Sequence, residues 1–304
     1  GSLYRPMQGK IWRAVGFETQ RGCPYTCTFC NSPSNNVEYK AETGGKFHRK
    51  KSIKRMKKEL DFLVKKYDPN LIYFVVDTFL AMSNREFDEL KELYSDYKIP
   101  FWMNTRAETI NEYRAAGLAE MNMLRMNIGI EHGNYEYRRN YLKRNVKNEV
   151  QIRAFQIAAE HDYASCANSI IGMPDETRDL IFDTINFVRE LPDSIDATGA
   201  FIFAPYHGTP LRDLAIRKGY INDDEICSLS NTSESMLRMP TITKSEIQGL
   251  AKTFSLYTKF PKERWPEIKI AESDSAEGTK MMEKLGKEFD SAYRQFPKGT
   301  DLHD

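Results

Sequence analysis

The sequence lacks any excess of charge: 44 Lys plus Arg stand against 43 Asp plus Glu, a net of +1 over 304 residues. No long-range field therefore recruits nucleic acid or an anionic membrane surface. Long apolar runs are missing too. The longest clean one, LIYFVV at 71–76, falls far short of the roughly eighteen residues that span a bilayer. With no secretory signal either, the expectation is a soluble, cytoplasmic protein. Cysteine is scarce, at five, and unevenly placed, whereas a disulfide framework would spread paired cysteines along a short chain. The chain opens GSLYRP with no initiating Met, so it reads as tagged or as a piece of something longer.

What is present is an alternation of short β-rich runs with amphipathic stretches, the signature of a parallel sheet. Strands are expected over 11–20, 71–76, 100–106, 123–131, 163–171 and 198–205. Between them, helices are expected over 52–67, 84–97, 108–117 (with Gly117 as its stop), 134–162 and 176–190. Six such units predict an α/β fold, a partial parallel (β/α)6 TIM-like barrel over residues 1–239. A helical C-terminal extension follows over 240–304, with helices at 244–258, 262–272 and 277–295. The basic run KFHRKKSIKRMKK at 46–58 interleaves lysines with Ile53 and Met56, which makes it the wet face of a helix rather than a nucleic-acid patch.

Three of the five cysteines, Cys23, Cys27 and Cys30, fall in RGCPYTCTFC, on the loop leaving the first strand. Parallel barrels carry ligands at the carboxyl ends of their strands, so this loop belongs to the functional face. Three thiolates are one too few for the usual iron–sulfur or structural zinc site. On a four-iron cubane they leave one iron open to a substrate or cofactor. Zinc closed by His48, Cys166 or Cys227 is an alternative, as is a ferredoxin-like carrier. So is a binding module whose cluster or zinc is only structural.

GCPYTCTFC resembles the cluster loop of the radical S-adenosylmethionine (SAM) enzymes, C-x3-C-x-aromatic-C, with Phe29 in the aromatic place. The resemblance implies a [4Fe–4S] cluster held by Cys23, Cys27 and Cys30. The amino and carboxylate groups of SAM would chelate the open iron. Reductive cleavage of the sulfonium would give a 5′-deoxyadenosyl radical that abstracts hydrogen from substrate. It further implies that Asp77 and Thr78 accept from the SAM amino group. Arg106 would pair with the SAM carboxylate or with Glu131. In IGIEHG, Glu131 would contact SAM and need a cationic partner, with His132 replacing the family's Ser. Arg144 matches the position holding the SAM carboxylate, and Ile170 and Gly172 in NSIIGMPDET would line adenine, with Asn168 where the family has glycine. In APYHGTPL, Tyr206 and His207 would face the substrate, His207 as a proton acceptor. Cys166 reads as a small buried residue or, less simply, as a hydrogen donor to a substrate radical.

RPMQGKIWRA and FSLYTKFPKERWPEIKIAE resemble the branch that carries an N-terminal cobalamin-binding domain and includes the anaerobic magnesium-protoporphyrin ester cyclases. No D-x-H-x-x-G signature occurs, so cobalamin is expected only with a missing or separate domain. Methylation or carbon-skeleton and ring modification is the reaction expected with cobalamin, and hydrogen-abstraction oxidation or rearrangement without it. The implied partners are a small-molecule substrate and an electron donor such as flavodoxin or ferredoxin.

Overall fold

The computed structural model describes residues 3–7, 9–195, 197–227 and 234–293. The chain enters as a hairpin in which Tyr4–Met7 (β1) pairs antiparallel with Lys10–Phe17 (β2). Beyond the cysteine loop, Gln20–Arg21 (β3) pairs with Arg49–Lys50 (β4) on either side of the helix Ser32–Thr43 (α1), and Ile53–Tyr67 (α2) returns the chain. The alternation then runs Leu71–Phe74 (β5), Asn84–Tyr94 (α3), Phe101–Arg106 (β6), Glu112–Glu120 (α4) and Met123–Glu131 (β7). Tyr135–Asn140 (α5), Asn148–Glu160 (α6), Ala164–Ile171 (β8), Arg178–Arg189 (α7), Ala197–Ile202 (β9) and Pro210–Arg217 (α8) follow.

The main sheet has the order β1-β2-β5-β6-β7-β8-β9. All six anticipated strands are there and parallel, forming a partial barrel, with β1 added antiparallel at one edge. Strand period fixes which side chains face in. In β8, Ser165, Ala167, Ser169 and Ile171 are buried on the helix side, while Cys166, Asn168 and Ile170 stay half-buried on the concave side. Local chemistry sets the helix starts. Ser52 accepts from the Arg55 amide, and Ser83 with Glu86 and Thr243 with Glu246 form capping boxes, satisfying amides that the first helical turn leaves open.

Three differences from the sequence reading have physical causes. The helix α1 was not anticipated, because SPSNNVEYKAET buries only Ser32 and has no apolar stripe to announce it. Gly117 does not stop its helix, which runs on to Glu120. A Cβ at 117 would lie 2.5 Å from the Phe87 ring, so this glycine permits α4 and α3 to pack closely. The 134–162 stretch breaks at 141–147, and Arg144 lies in the break.

The tail forms Lys244–Lys259 (α9), Trp265–Ala271 (α10) and Ala276–Tyr293 (α11); residues 294–295 of the anticipated last helix lie outside the described residues. Helix α9 lies along β9. The Ser255 hydroxyl donates to the Thr198 carbonyl at 2.5 Å, and the Thr198 and Thr258 hydroxyls are 2.9 Å apart. Arg189 of α7 donates to the carbonyls of Tyr257, Thr258 and Phe260 at 2.8, 3.2 and 2.7 Å, where the C-terminus of α9 has unpaired acceptors and negative partial charge. Leu250, Phe254 and Leu285 share one apolar core with the strands. Among the described residues no helix is long and apolar enough to cross a membrane.

Candidate active site

The cysteine loop is pinned by backbone bonds to distant parts of the chain. Gly22 opens it at φ +78°, and a Cβ there would lie 2.7 Å from the Phe47 ring, so only glycine fits both the conformation and the space. From α1, the Ser32 hydroxyl accepts from the Cys23 amide and the Asn36 carboxamide donates to the Cys23 carbonyl, each at 3.0 Å. The Thr28 amide donates to the Leu142 carbonyl at 3.2 Å, and the Leu211 amide of α8 donates to the Thr28 carbonyl at 3.1 Å. Helices far apart in sequence thus fix the loop at the carboxyl ends of the strands.

All three thiols open into one cavity of about 350 Å3, also lined by Phe29, Asp77, Thr78, Arg106, Glu131, Arg144, Ile170 and Tyr206. Each sulfur meets a different element. Cys23 Sγ is 3.6 Å from the Thr78 hydroxyl, Cys27 Sγ accepts from Arg106 Nη1 at 3.0 Å, and Cys30 Sγ accepts from the Ser32 amide at 3.4 Å. Burial pushes the Cys23 thiol up and the Cys30 thiol up to about 11, so metal binding there must displace protons. Among the described residues no three His, Cys, Asp or Glu side chains gather as a cage for a single ion. His48, Cys166 and Cys227, the fourth ligands the zinc alternative needs, are not among the lining residues.

Facing the thiols across the cavity is a buried ion pair. Glu131 ends β7 in a left-handed conformation, φ +65°, which turns its carboxylate back over the strand. Arg144 Nη1 meets it at 3.1 Å, and Arg144 Nη2 donates to the Gly129 carbonyl at 2.5 Å. Burial raises the Glu131 pKa, opposed first by Arg144 and then by Arg106. Arg144 is 3 % exposed rather than a surface arginine. Its Nε is buried with no protein partner, a donor suited to an incoming carboxylate. A Cβ at Gly129 would overlap the Glu131 carboxylate, so this glycine makes the room the pair occupies.

Other sequence-selected residues divide. Asp77 accepts from the Ser32 hydroxyl at 3.1 Å, and neither Asp77 nor Thr78 caps α3, a role taken by Ser83. Arg106 pairs with Glu108 rather than Glu131, with Nε donating to Oε1 at 2.6 Å. His207 is exposed, and neither it nor Gly172 is among the lining residues. Gly172, at φ +78°, makes the turn after β8. Sequence reasoning missed Glu176. It is fully buried, accepts from the Met173 amide at 3.0 Å and from the Gly172 amide at 2.5 Å, and stands 3.1 Å from His132 Nε2. His132 Nδ1 accepts from the Asn134 amide at 3.0 Å, whereas Nε2 and Glu176 Oε1, though close, form no hydrogen bond. The pair links the turns after β7 and β8. Asn104 and Asn127, also missed, line the cavity together with Asn168. Asn127 donates to Asn104 at 3.0 Å, Asn104 to the Tyr73 hydroxyl at 2.9 Å, and Asn168 accepts from the Cys166 thiol at 3.1 Å. Their signal was present as polar residues at alternate positions in otherwise apolar strands.

Comparison with known proteins gives consistent results. The profile of the radical SAM superfamily matches residues 17–188. An uncharacterized methyltransferase of Pyrococcus horikoshii is 31% identical over 199 residues, covering 65% of this chain and 41% of that protein. The anaerobic magnesium-protoporphyrin IX monomethyl ester cyclase of Rubrivivax gelatinosus is 25% identical over 225 residues, covering 70% of this chain and 36% of that protein. The chain thus spans about two fifths of the length of either relative. Among solved structures, the radical SAM methyltransferase TsrM from Kitasatospora setae, with cobalamin and a [4Fe–4S] cluster bound, superposes with a TM-score of 0.58 at 13% identity. That superposition covers 90% of this chain and 61% of TsrM, and it shows a shared fold.

Proposed function

The chain belongs to the radical SAM superfamily, and from that premise we propose that it cleaves SAM reductively at a [4Fe–4S] cluster held by Cys23, Cys27 and Cys30, and abstracts hydrogen from a small-molecule substrate. The observation that carries this reading is that the three thiols of the C-x3-C-x2-C loop open into the same cavity as the Glu131–Arg144 pair. When bound, the cluster supplies one electron to the SAM sulfonium, and the nucleoside radical released attacks an unreactive C–H bond.

The chain's residues bind, orient and exclude water. Arg144, with its unpartnered Nε, takes the SAM carboxylate, and Glu131 and Asp77 accept from the amino group. Glu131 suits this because Arg144 already favours its charged form against burial. Ile170 and Phe29 supply apolar surface for the adenine. The substrate enters past Tyr206, which is 38 % exposed at the cavity rim; exposed His207 has no role in this reading. An external one-electron carrier, such as flavodoxin or ferredoxin, completes the reaction. Methylation or ring modification is the proposed outcome where cobalamin is supplied by another domain or chain.

Anaerobic reconstitution with iron and sulfide, then dithionite and SAM, tests the reading. Release of 5′-deoxyadenosine is expected. A cluster that forms yet leaves SAM intact would favour a structural module instead.

A further inference from the structure

Arg106 ends β6, is 8 % exposed, and directs Nη1 at Cys27 Sγ from 3.0 Å. The Tyr25 ring covers its guanidinium at 3.8 Å, a cation–π contact that also keeps water off the charge. On the side away from the sulfur, Glu108 Oε1 accepts from Nε at 2.6 Å and stands 2.5 Å from Nη2. The guanidinium thus lies between the Cys27 sulfur and the Glu108 carboxylate and contacts both. No such contact follows from the loop motif, since Arg106 lies 79 residues beyond Cys27.

We propose that Arg106 raises the reduction potential of the cluster by holding its charge and an N–H against the Cys27 sulfur, and that Glu108 trims that effect. The inference rests on the reading that Cys27 is a cluster ligand. One-electron reduction places more negative charge on the ligand sulfurs. A cation and a donor beside one of them therefore favour the reduced form, and a nearby carboxylate opposes it. Burial strengthens the effect of Arg106, because little water screens it, whereas Glu108 is exposed and its opposing effect is the smaller one. A guanidinium does this better than an ammonium would: its planar fork bonds the sulfur on one edge and the carboxylate on another while a ring covers its face. Removing the cation and removing the anion must then shift the potential in opposite directions, which a purely structural contact would not do.

The test is an EPR-monitored redox titration of the anaerobically reconstituted full chain, poised with dithionite and without SAM. Arg106→Met is expected to shift the midpoint negative, Glu108→Gln positive, and Arg106→Lys less than Arg106→Met. Unchanged midpoints, or shifts of the same sign in Arg106→Met and Glu108→Gln, would overturn the proposal. It is also overturned if Arg106→Met keeps the native midpoint and weakens SAM binding, for the guanidinium then serves the SAM carboxylate. Should Arg106→Met fail to assemble four irons, Glu108→Gln decides alone: a positive shift supports the proposal, and none or a negative one sinks it. If the native chain assembles no four-iron cluster, the functional reading falls and takes this one with it. A native chain that releases 5′-deoxyadenosine while the variants' midpoints stay put overturns this inference only.

Discussion

Substituting Gly129 by alanine tests the site at a single atom. Gly129 lies on the concave face of β7, and the added methyl would overlap Glu131 Oε1, with Glu131 Cδ at 3.3 Å and Arg144 Nη1 at 3.7 Å. The carboxylate, the far end of a flexible side chain, must therefore shift, and its contact with Arg144 is expected to weaken. Removing one partner of a buried ion pair costs about 3–5 kcal/mol. Here the partner is displaced rather than deleted, and a loss of about 2 kcal/mol, about 30-fold in the SAM dissociation constant, is expected. Gly199 is the control. The register places Gly129 beside Asn168 and Asn168 beside Gly199 in one row across the sheet, and a Cβ at 199 meets nothing within 4 Å. Anaerobic isothermal titration of SAM into reconstituted native, Gly129→Ala and Gly199→Ala proteins reads the difference, with circular dichroism checking the fold. Native-like affinity in Gly129→Ala, or equal loss in both variants, would show that the Glu131–Arg144 pair does not set SAM affinity.

Three further outcomes follow from the same geometry. Alanine at Cys23, Cys27 or Cys30 should each lower bound iron and labile sulfide after reconstitution, and alanine at Cys166 should leave both unchanged; colorimetric iron and sulfide analysis checks this. Gly117→Ala gains helix propensity of about 1 kcal/mol but drives a methyl to 2.5 Å from the Phe87 ring; since overpacking costs about 1–3 kcal/mol, urea melts should show net destabilisation. Glu86 bonds Lys50 and caps α3 at Ser83, which lowers its pKa from 4.5 to about 2. A depressed carboxylate pKa contributes stability above the unfolded value that is lost as pH falls through the folded one. Glu86→Gln should therefore be less stable than native at neutral pH, and the gap should close between pH 4.5 and 2 in denaturant titrations.

The six parallel strands were legible because most read as short runs rich in apolar and β-branched residues between turn signals, as LIYF of β5 does. The hairpin strand β1 was not: YRPM carries a proline and is mostly exposed, an edge pattern that resembles a loop in sequence. The three cysteines were legible as one group, since spacing within one loop survives without tertiary information, and their thiols do line one cavity. Glu131 was legible only as a carboxylate needing a cation; that the cation is Arg144, and that Gly129 makes room for the pair, depends on how the chain returns after β7. Among protein partners, Arg106 pairs not with Glu131 but with Glu108, two residues away, and with the Cys27 sulfur on the distant loop. Contacts between strand ends and a distant loop are set by packing, and no local pattern encodes them.

The proposed function requires that three protein thiolates leave one corner of the cluster for SAM. The most direct measurement is the EPR spectrum of the dithionite-reduced, reconstituted chain recorded with and without SAM. A four-iron signal whose g-values shift when SAM is added is expected. A signal that SAM leaves unaltered would contradict it, as would a metal centre ligated entirely by protein side chains.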